Sequence, residues 1–155
     1  MKIKVISLGK VRQIFVREGE EEFLKRIRAW TAIDLLELPV EKFSSLPEAQ
    51  LKEREAELFL KHIDQDDFVV VLDEIGRAKS SRELAKFIET RLHSGEASLV
   101  FAIGGAYGWA ETAKKRANLL LSLSVLTFTY QMTRLILVEQ IYRSLTIIKG
   151  LPYQK

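Results

Sequence analysis

An α/β fold with a mainly parallel sheet of about five strands is the architecture this sequence predicts, on three observations. Phe68-Val-Val-Val-Leu72 is an unbroken apolar run rich in β-branched residues, the pattern of a strand buried on both faces. Comparable runs recur at Ser98–Ile103 and Leu119–Ser124. Between the runs, apolar residues return every three to four positions, so strand and helix alternate along the chain.

Each element follows in order. Lys2–Leu8 alternates and meets Gly9, a first strand. Glu18–Trp30 places Phe23, Leu24, Ile27 and Trp30 at helical spacing. Ile33–Leu38 is a second strand, stopped by Pro39. Pro47 opens a charged helix to about Ile63, with Leu51, Leu58, Phe59 and Ile63 inward, and the charge run Glu48–Glu57 reads as its solvated face. After the strand Phe68–Leu72 comes a loop, Asp73–Lys79. Ser80 and Glu83 then form a capping box for a helix through Leu92, with Leu84, Phe87 and Ile88 inward. Ser98–Ile103 is a strand and Gly104–Gly108 its loop; Trp109–Asn118 is a short helix; Leu119–Ser124 is the last strand and Val125–Thr129 its loop. Tyr130–Ile148 closes the chain as a helix. Its consecutive Leu135, Ile136, Leu137 and Val138 make it apolar almost all round. In a chain of this size such a helix needs a second partner, and the expectation is a homodimer with this helix near the interface.

Composition narrows the class. The chain has 155 residues, 47% hydrophobic and 29% charged, and reads as one globular domain over residues 1–155. No segment reaches the roughly 18 consecutive apolar residues of a membrane span. The N-terminus runs into an alternating strand rather than a signal-peptide core, so the expected location is the cytoplasm. The absence of cysteine excludes thiol nucleophiles, disulfides and cysteine metal sites. Net charge is +3, unevenly spread: Thr112–Lys155 holds seven basic residues against Glu139 alone, a segment of +6 that leaves −3 for the rest. A field of one sign beside a site favours an anionic partner such as a nucleic acid backbone.

Three strand ends carry glycine or small residues. Ile103-Gly-Gly-Ala-Tyr-Gly108 joins a strand to a helix, and glycine there admits positive φ and close backbone approach. It is neither the dinucleotide fingerprint nor a Walker A loop. Leu72-Asp-Glu-Ile-Gly76 and Leu123–Phe128 end two further strands. Converging at one sheet edge, the three loops would form a pocket whose main-chain groups hold an adenine between apolar side chains. Ser122, Ser124, Thr127 and Thr129 read alternatively as caps and turn formers. His62 and His93 sit near helix ends among charged residues, without zinc spacing, and no metal is expected. Asp73 and Glu74 are adjacent and point apart. Arg134 and Arg143 are nine residues apart on one helix and face opposite sides. Tyr153 and Lys155 in the tail are placed to close over a pocket, or to form a frayed terminus.

Taken together, LDEIGRAKSS, FAIGGAYGW, LSLSVLTFTYQMTR, VEQIYRS and the final PYQK resemble the ribosomal RNA large subunit methyltransferase H family. These are SPOUT-class enzymes that methylate N3 of a pseudouridine in 23S rRNA. The likeness covers essentially the whole chain and is densest from Phe68 to Lys155. It implies a C-terminal trefoil knot, a homodimer, and S-adenosyl-L-methionine held by the knot loops. Carried over by motif, the cofactor contacts fall at Leu72, Gly104, Leu123, Ser124, Val125, Leu126, Thr127 and Phe128. The resemblance also implies that Tyr130, Arg134, Glu139, Tyr142, Arg143 and Tyr153 surround the catalytic pocket, some across the dimer. It implies a ribosomal substrate, since so small a domain offers little RNA surface of its own. Two positions depart from the family: Tyr130 and Gln154 stand where histidine is usual. Tyrosine donates a hydrogen bond but is a poor base at neutral pH, so no histidine base is expected at Tyr130.

Overall fold

A computed structural model describes residues 1–153; the tail positions Gln154 and Lys155 lie outside the described residues. The elements are β1 (Lys2–Leu8), α1 (Ile14–Arg28), β2 (Ile33–Leu38), a 3-10 turn (Glu41–Phe43), α2 (Glu48–Leu60), β3 (Phe68–Ala78), α3 (Ser81–Leu92), β4 (Ser98–Ile103), α4 (Glu111–Arg116), β5 (Leu119–Ser122) and α5 (Tyr130–Ile148). The strands form one sheet in the order β2-β1-β4-β3-β5, every neighbouring pair parallel. The predicted class and strand number hold.

Both faces of the sheet are covered, which is why the central strands are apolar without alternation. Side chains in a strand point to opposite faces in turn. Val70, Leu99 and Phe101 therefore join Leu24 and Ile27 of α1, Leu84 and Ile88 of α3, and Leu137, Val138 and Ile141 of α5. Val69, Val71, Val100 and Ala102 face the other way, onto Ala56 and Phe59 of α2 and Ala113 of α4. Phe101, fully buried at the centre, contributes about 2–3 kcal/mol by burial alone. Among the described residues no helix is long and apolar enough to cross a membrane.

Several boundaries differ from expectation for local reasons. β3 does not end at Leu72. After an irregularity it continues, and Arg77 and Ala78 pair with Leu121 and Ser122. Gly76 makes this possible: a Cβ there would sit 2.7 Å from the Leu120 carbonyl carbon. α1 begins at Ile14, four residues early, because the Gln131 side chain takes up the Arg12 and Gln13 amides at its start. Trp30 lies beyond the end of α1 and stacks on Tyr142, ring centroids 5.5 Å apart. α4 is shorter than expected because Trp109 packs on Phe59 (4.9 Å) and Ala110 is extended. β5 stops at Ser122, whose hydroxyl donates to the Ser124 carbonyl and turns the chain. The capping box of α3 is present, with Ser80 and Glu83 bonding each other's backbone amides.

Because all five strands run the same way, the loops after β1, β3, β4 and β5 leave the sheet at one edge. That edge is where open α/β sheets hold their ligands.

Candidate active site

A cavity of about 820 Å³ opens at this edge, within the roughly 300–1,000 Å³ of small-molecule sites. Its walls come from the irregular middle of β3 (Leu72, Asp73, Glu74), the end of β4 and its loop (Ile103, Gly104, Gly105) and the β5–α5 loop (Leu123, Ser124, Leu126, Thr127, Phe128). The three predicted segments meet around this cavity, with the difference that Asp73–Ala78, expected as loop, is strand. Short polar contacts fix them: Thr127 Oγ1 donates to Glu74 (3.2 Å), the Leu126 amide to Ser124 Oγ (2.9 Å), and the Ile75 amide to Asp73 (3.0 Å). Lys114 of α4 pairs with Asp73 at 3.2 Å. Asp73 and Glu74 thus turn to different partners. Thr129 caps α5 by accepting from the Met132 amide. The serines and threonines of this loop serve as turn and cap residues.

The glycine loop is pressed against its own support. A Cβ on Gly104 would lie 2.9 Å from Trp109 Nε1, and one on Gly105 would lie 2.8 Å from Glu55 Oε2. Gly108 has φ +78°, a left-handed conformation that favours glycine. Glu55 corrects the reading of Glu48–Glu57 as a solvated face: it is 4% exposed, with no hydrogen-bond partner for Oε1. Burial pushes its carboxyl up to about 7.

Of the residues expected to contact a cofactor, Leu72, Gly104, Leu123, Ser124, Leu126, Thr127 and Phe128 line the cavity. Val125 does not; it is 92% exposed and points outward. Tyr130 lies at the rim, its hydroxyl donating to the Lys10 carbonyl at 2.8 Å. Tyr107 lines the cavity as part of the glycine loop, and Lys52 and Gln131, outside the predicted segments, line it too. Lys52 comes from α2, and no sequence signal links that helix to the β-strand loops.

Glu139, Tyr142, Arg143 and Tyr153 form a second cluster. Glu139 Oε1 accepts from Arg143 Nη2 (2.6 Å) and from the Tyr153 hydroxyl (3.1 Å). The Arg143 guanidinium lies 5.0 Å from the Tyr153 ring centroid, and Tyr153 meets Tyr142 edge-on at 4.7 Å. Gly150 builds this arrangement. With φ +66° it ends α5 in a Schellman turn: its own amide donates to the Ile147 carbonyl and that of Leu151 to Thr146. The chain turns back and Tyr153 docks rather than frays. The hydrogen bond to Glu139 raises the Arg143 pKa, while desolvation and then Glu139 raise that of Tyr153. Both stay protonated at neutral pH. On a helix rising about 1.5 Å per residue, Arg143 lies about 20 Å along α5 from Tyr130. Within one chain the two groups of residues are separate.

Arg134 corrects a further expectation. It does not face a pocket. It is 2% exposed, donating to Glu20 of α1 at 2.6 and 2.8 Å and to Glu37 of β2 at 2.8 Å. Burial alone would lower its pKa; the hydrogen bonds to Glu20 and Glu37 outweigh this and raise it. This guanidinium is a structural tie between α5, α1 and β2. His62 and His93 are exposed at the ends of α2 and α3, each facing a carbonyl of its own helix.

A ligand-sized cavity at the carboxyl edge of a parallel sheet marks an α/β enzyme, and the sequence comparisons define which class. The chain belongs to the SPOUT methyltransferase family: the pattern described as "Predicted SPOUT methyltransferase" matches residues 1–154. Among its relatives, the Ribosomal RNA large subunit methyltransferase H of Caldicellulosiruptor saccharolyticus is 44% identical over 154 residues, covering 99% of both chains. The protein of the same name from Geotalea daltonii is 44% identical over 153 residues, again covering 99% of each. That of Enterococcus faecalis is 38% identical over 159 aligned positions, covering all of both.

Proposed function

We propose that this methyltransferase moves a methyl group from S-adenosyl-L-methionine to N3 of a pseudouridine in 23S ribosomal RNA, as a cytoplasmic homodimer working on assembled ribosomes. The observation that supports the reading most directly is the cavity walled jointly by β3, the loop after β4 and the loop after β5 in a full-length family member. Its donor set suits that cofactor. Main-chain groups of the Gly104 and Leu123–Phe128 segments are available to an adenine edge, and Leu72, Ile103 and Phe128 to its faces. Asp73 is paired with Lys114, while Glu74 forms no ion pair among the described residues and is the carboxylate placed to favour a cation nearby. When bound, the cofactor supplies a sulfonium methyl group for an in-line displacement that needs no metal. The chain's own residues then hold the base in line, and catalysis rests largely on positioning.

The base must lose its N3 proton. Arg143 donates Nε and Nη2 to Glu139 and is partly exposed; its remaining Nη1 group is suited to stabilise the resulting anion, with solvent as proton acceptor. Arg134 is fully engaged with two carboxylates and is assigned no such role. The roughly 20 Å between Tyr130 and Arg143 within one chain supports a dimer, in which the Arg143–Tyr153 cluster of one protomer meets the cavity of its partner. Met132, Ile136 and Ile147, half-buried at i, i+4 and i+15 on α5, give that contact an apolar stripe. The trefoil knot expected of the family is part of the same reading.

The test is to incubate the protein with S-adenosyl-L-methionine and large ribosomal subunits from cells lacking this enzyme, then identify the modified nucleoside by mass spectrometry. N3-methylpseudouridine is expected. A methyl group on another base would move the assignment to another RNA target. No transfer and no calorimetric affinity for the cofactor would leave an RNA-binding module and overturn it.

A further inference from the structure

The loop after β1, Gly9–Gln13, leaves the sheet at the same edge as the cavity and is tied down along its whole backbone. The Gly9 amide donates to the Leu38 carbonyl (3.1 Å), and the Val11 amide to Glu37 (2.8 Å). The Lys10 carbonyl accepts from Tyr130, and the Val11 carbonyl from Arg17 Nη2 (2.7 Å). Gln131 Oε1 accepts both the Arg12 and Gln13 amides at 2.9 Å. Tyr130 and Gln131, which hold the loop, also line the cavity.

With the backbone thus fixed, the side chains are turned out. Lys10 and Arg12 are exposed, Ile14 is 73% exposed and Phe15 is 59% exposed. Among the described residues, Lys10, Arg12 and Arg17 form no ion pair. Glu18 is the one acid within the first turn and a half of α1. A solvent-facing aromatic ring in the first turn of a helix, directly after a rigid loop that carries two unpaired cations and is held by cavity-lining residues, is an arrangement suited to unpaired nucleotides. Rigidity keeps the ordering cost low.

We propose that this corner receives the single-stranded RNA flanking the target nucleotide, a base stacking on Phe15 while neighbouring phosphates pair with Lys10 and Arg12. The proposal rests on the ribosomal RNA methyltransferase reading and names the surface that carries its substrate. Sequence-tolerant stacking fits a platform that presents no hydrogen-bonding groups for base edges at Phe15 itself.

The experiment measures affinity for large ribosomal subunits and for a short uridine-rich single-stranded RNA across a salt series. Wild type, Phe15→Ala, Phe15→Trp and Lys10→Ala/Arg12→Ala are compared. Phe15→Ala is expected to weaken binding about fivefold or more with its salt slope intact, and Phe15→Trp to restore it. The double variant is expected to flatten the slope of log K against log salt by between one and two. Melting temperature and calorimetric affinity for S-adenosyl-L-methionine stay at wild-type values in Phe15→Ala. Unchanged RNA affinity in Phe15→Ala, or no binding of the wild type to either probe, overturns the proposal. So does a Phe15→Ala protein that sediments as a different oligomer, which would assign the patch to a second copy. If wild type methylates RNA yet Phe15→Ala binds normally, this proposal fails alone. If wild type neither transfers methyl nor binds cofactor, the functional reading fails first.

Discussion

Glu55 stands in a run of charged residues, and only its place in the helix separates it from Glu53 and Glu57. At one position per 100° of turn it falls on the side with Ala56 and Phe59, under the glycine loop. Its carboxyl titrates near 7 in the folded chain against an ordinary 4.5. The native state therefore holds an extra proton between those values. The contribution of this carboxyl to stability is fully present below about pH 4.5, is lost as pH rises through about 7, and amounts to up to about 3 kcal/mol. Glu55→Gln is expected to flatten this slope and raise the urea midpoint at about pH 8. An identical pH profile for the variant would show that the carboxyl is solvated. Gly104 gives a second expectation at this scale. Gly104→Ala pushes a methyl into Trp109 Nε1 at 2.9 Å and displaces the loop, so cofactor affinity measured by calorimetry falls about tenfold, while overall stability drops by about 1–3 kcal/mol. Arg134 belongs here too. Arg134→Met leaves Glu20 and Glu37 facing each other without a cation, and chemical denaturation is expected to register a loss of about 3–5 kcal/mol.

At the scale of elements, the helix caps and apolar runs were plain in the sequence, and the irregular strand was not. Ser80 and Glu83 spell a capping box, and the structure contains it. Ser80→Ala is expected to cost about 1 kcal/mol, read as a lower thermal midpoint with the fold retained. The second half of β3 carries no such mark. Ile75-Gly-Arg-Ala78 has neither alternation nor an apolar run, and pairs with β5 only because Gly76 allows the backbones to touch. The start of α1 was hidden for the opposite reason. Ile14 and Phe15 are apolar residues facing solvent, which breaks the helical pattern where the helix begins. α5 was legible as an all-round apolar helix because it lies between α1 and α3 and still keeps Met132 and Ile136 partly bare.

For the whole molecule, the partly bare apolar stripe on α5 bears on assembly. Ile136→Asp puts a charge in the proposed contact, and sedimentation velocity is expected to show monomers that bind cofactor but have lost methyl transfer. A dimeric Ile136→Asp protein would place the interface elsewhere. Within the basic C-terminal segment, Lys114 is paired with Asp73 and Arg134 with Glu20 and Glu37, so the acidic remainder offsets part of the +6 locally.

The sequence by itself determined the alternation of strand and helix, the parallel sheet and the three segments that wall the cavity. Strand and helix periodicities are local properties, and a parallel sheet sends its loops to one edge by geometry. Only the tertiary structure decided that Arg134 is tied inside while Arg143 meets Tyr153, that Val125 points away, and that Glu55 lies under Gly105. These depend on which face of one element meets which residue of another, at separations of up to 114 positions along the chain. Side-chain burial and pairing over such distances are set by packing, and no local pattern encodes them.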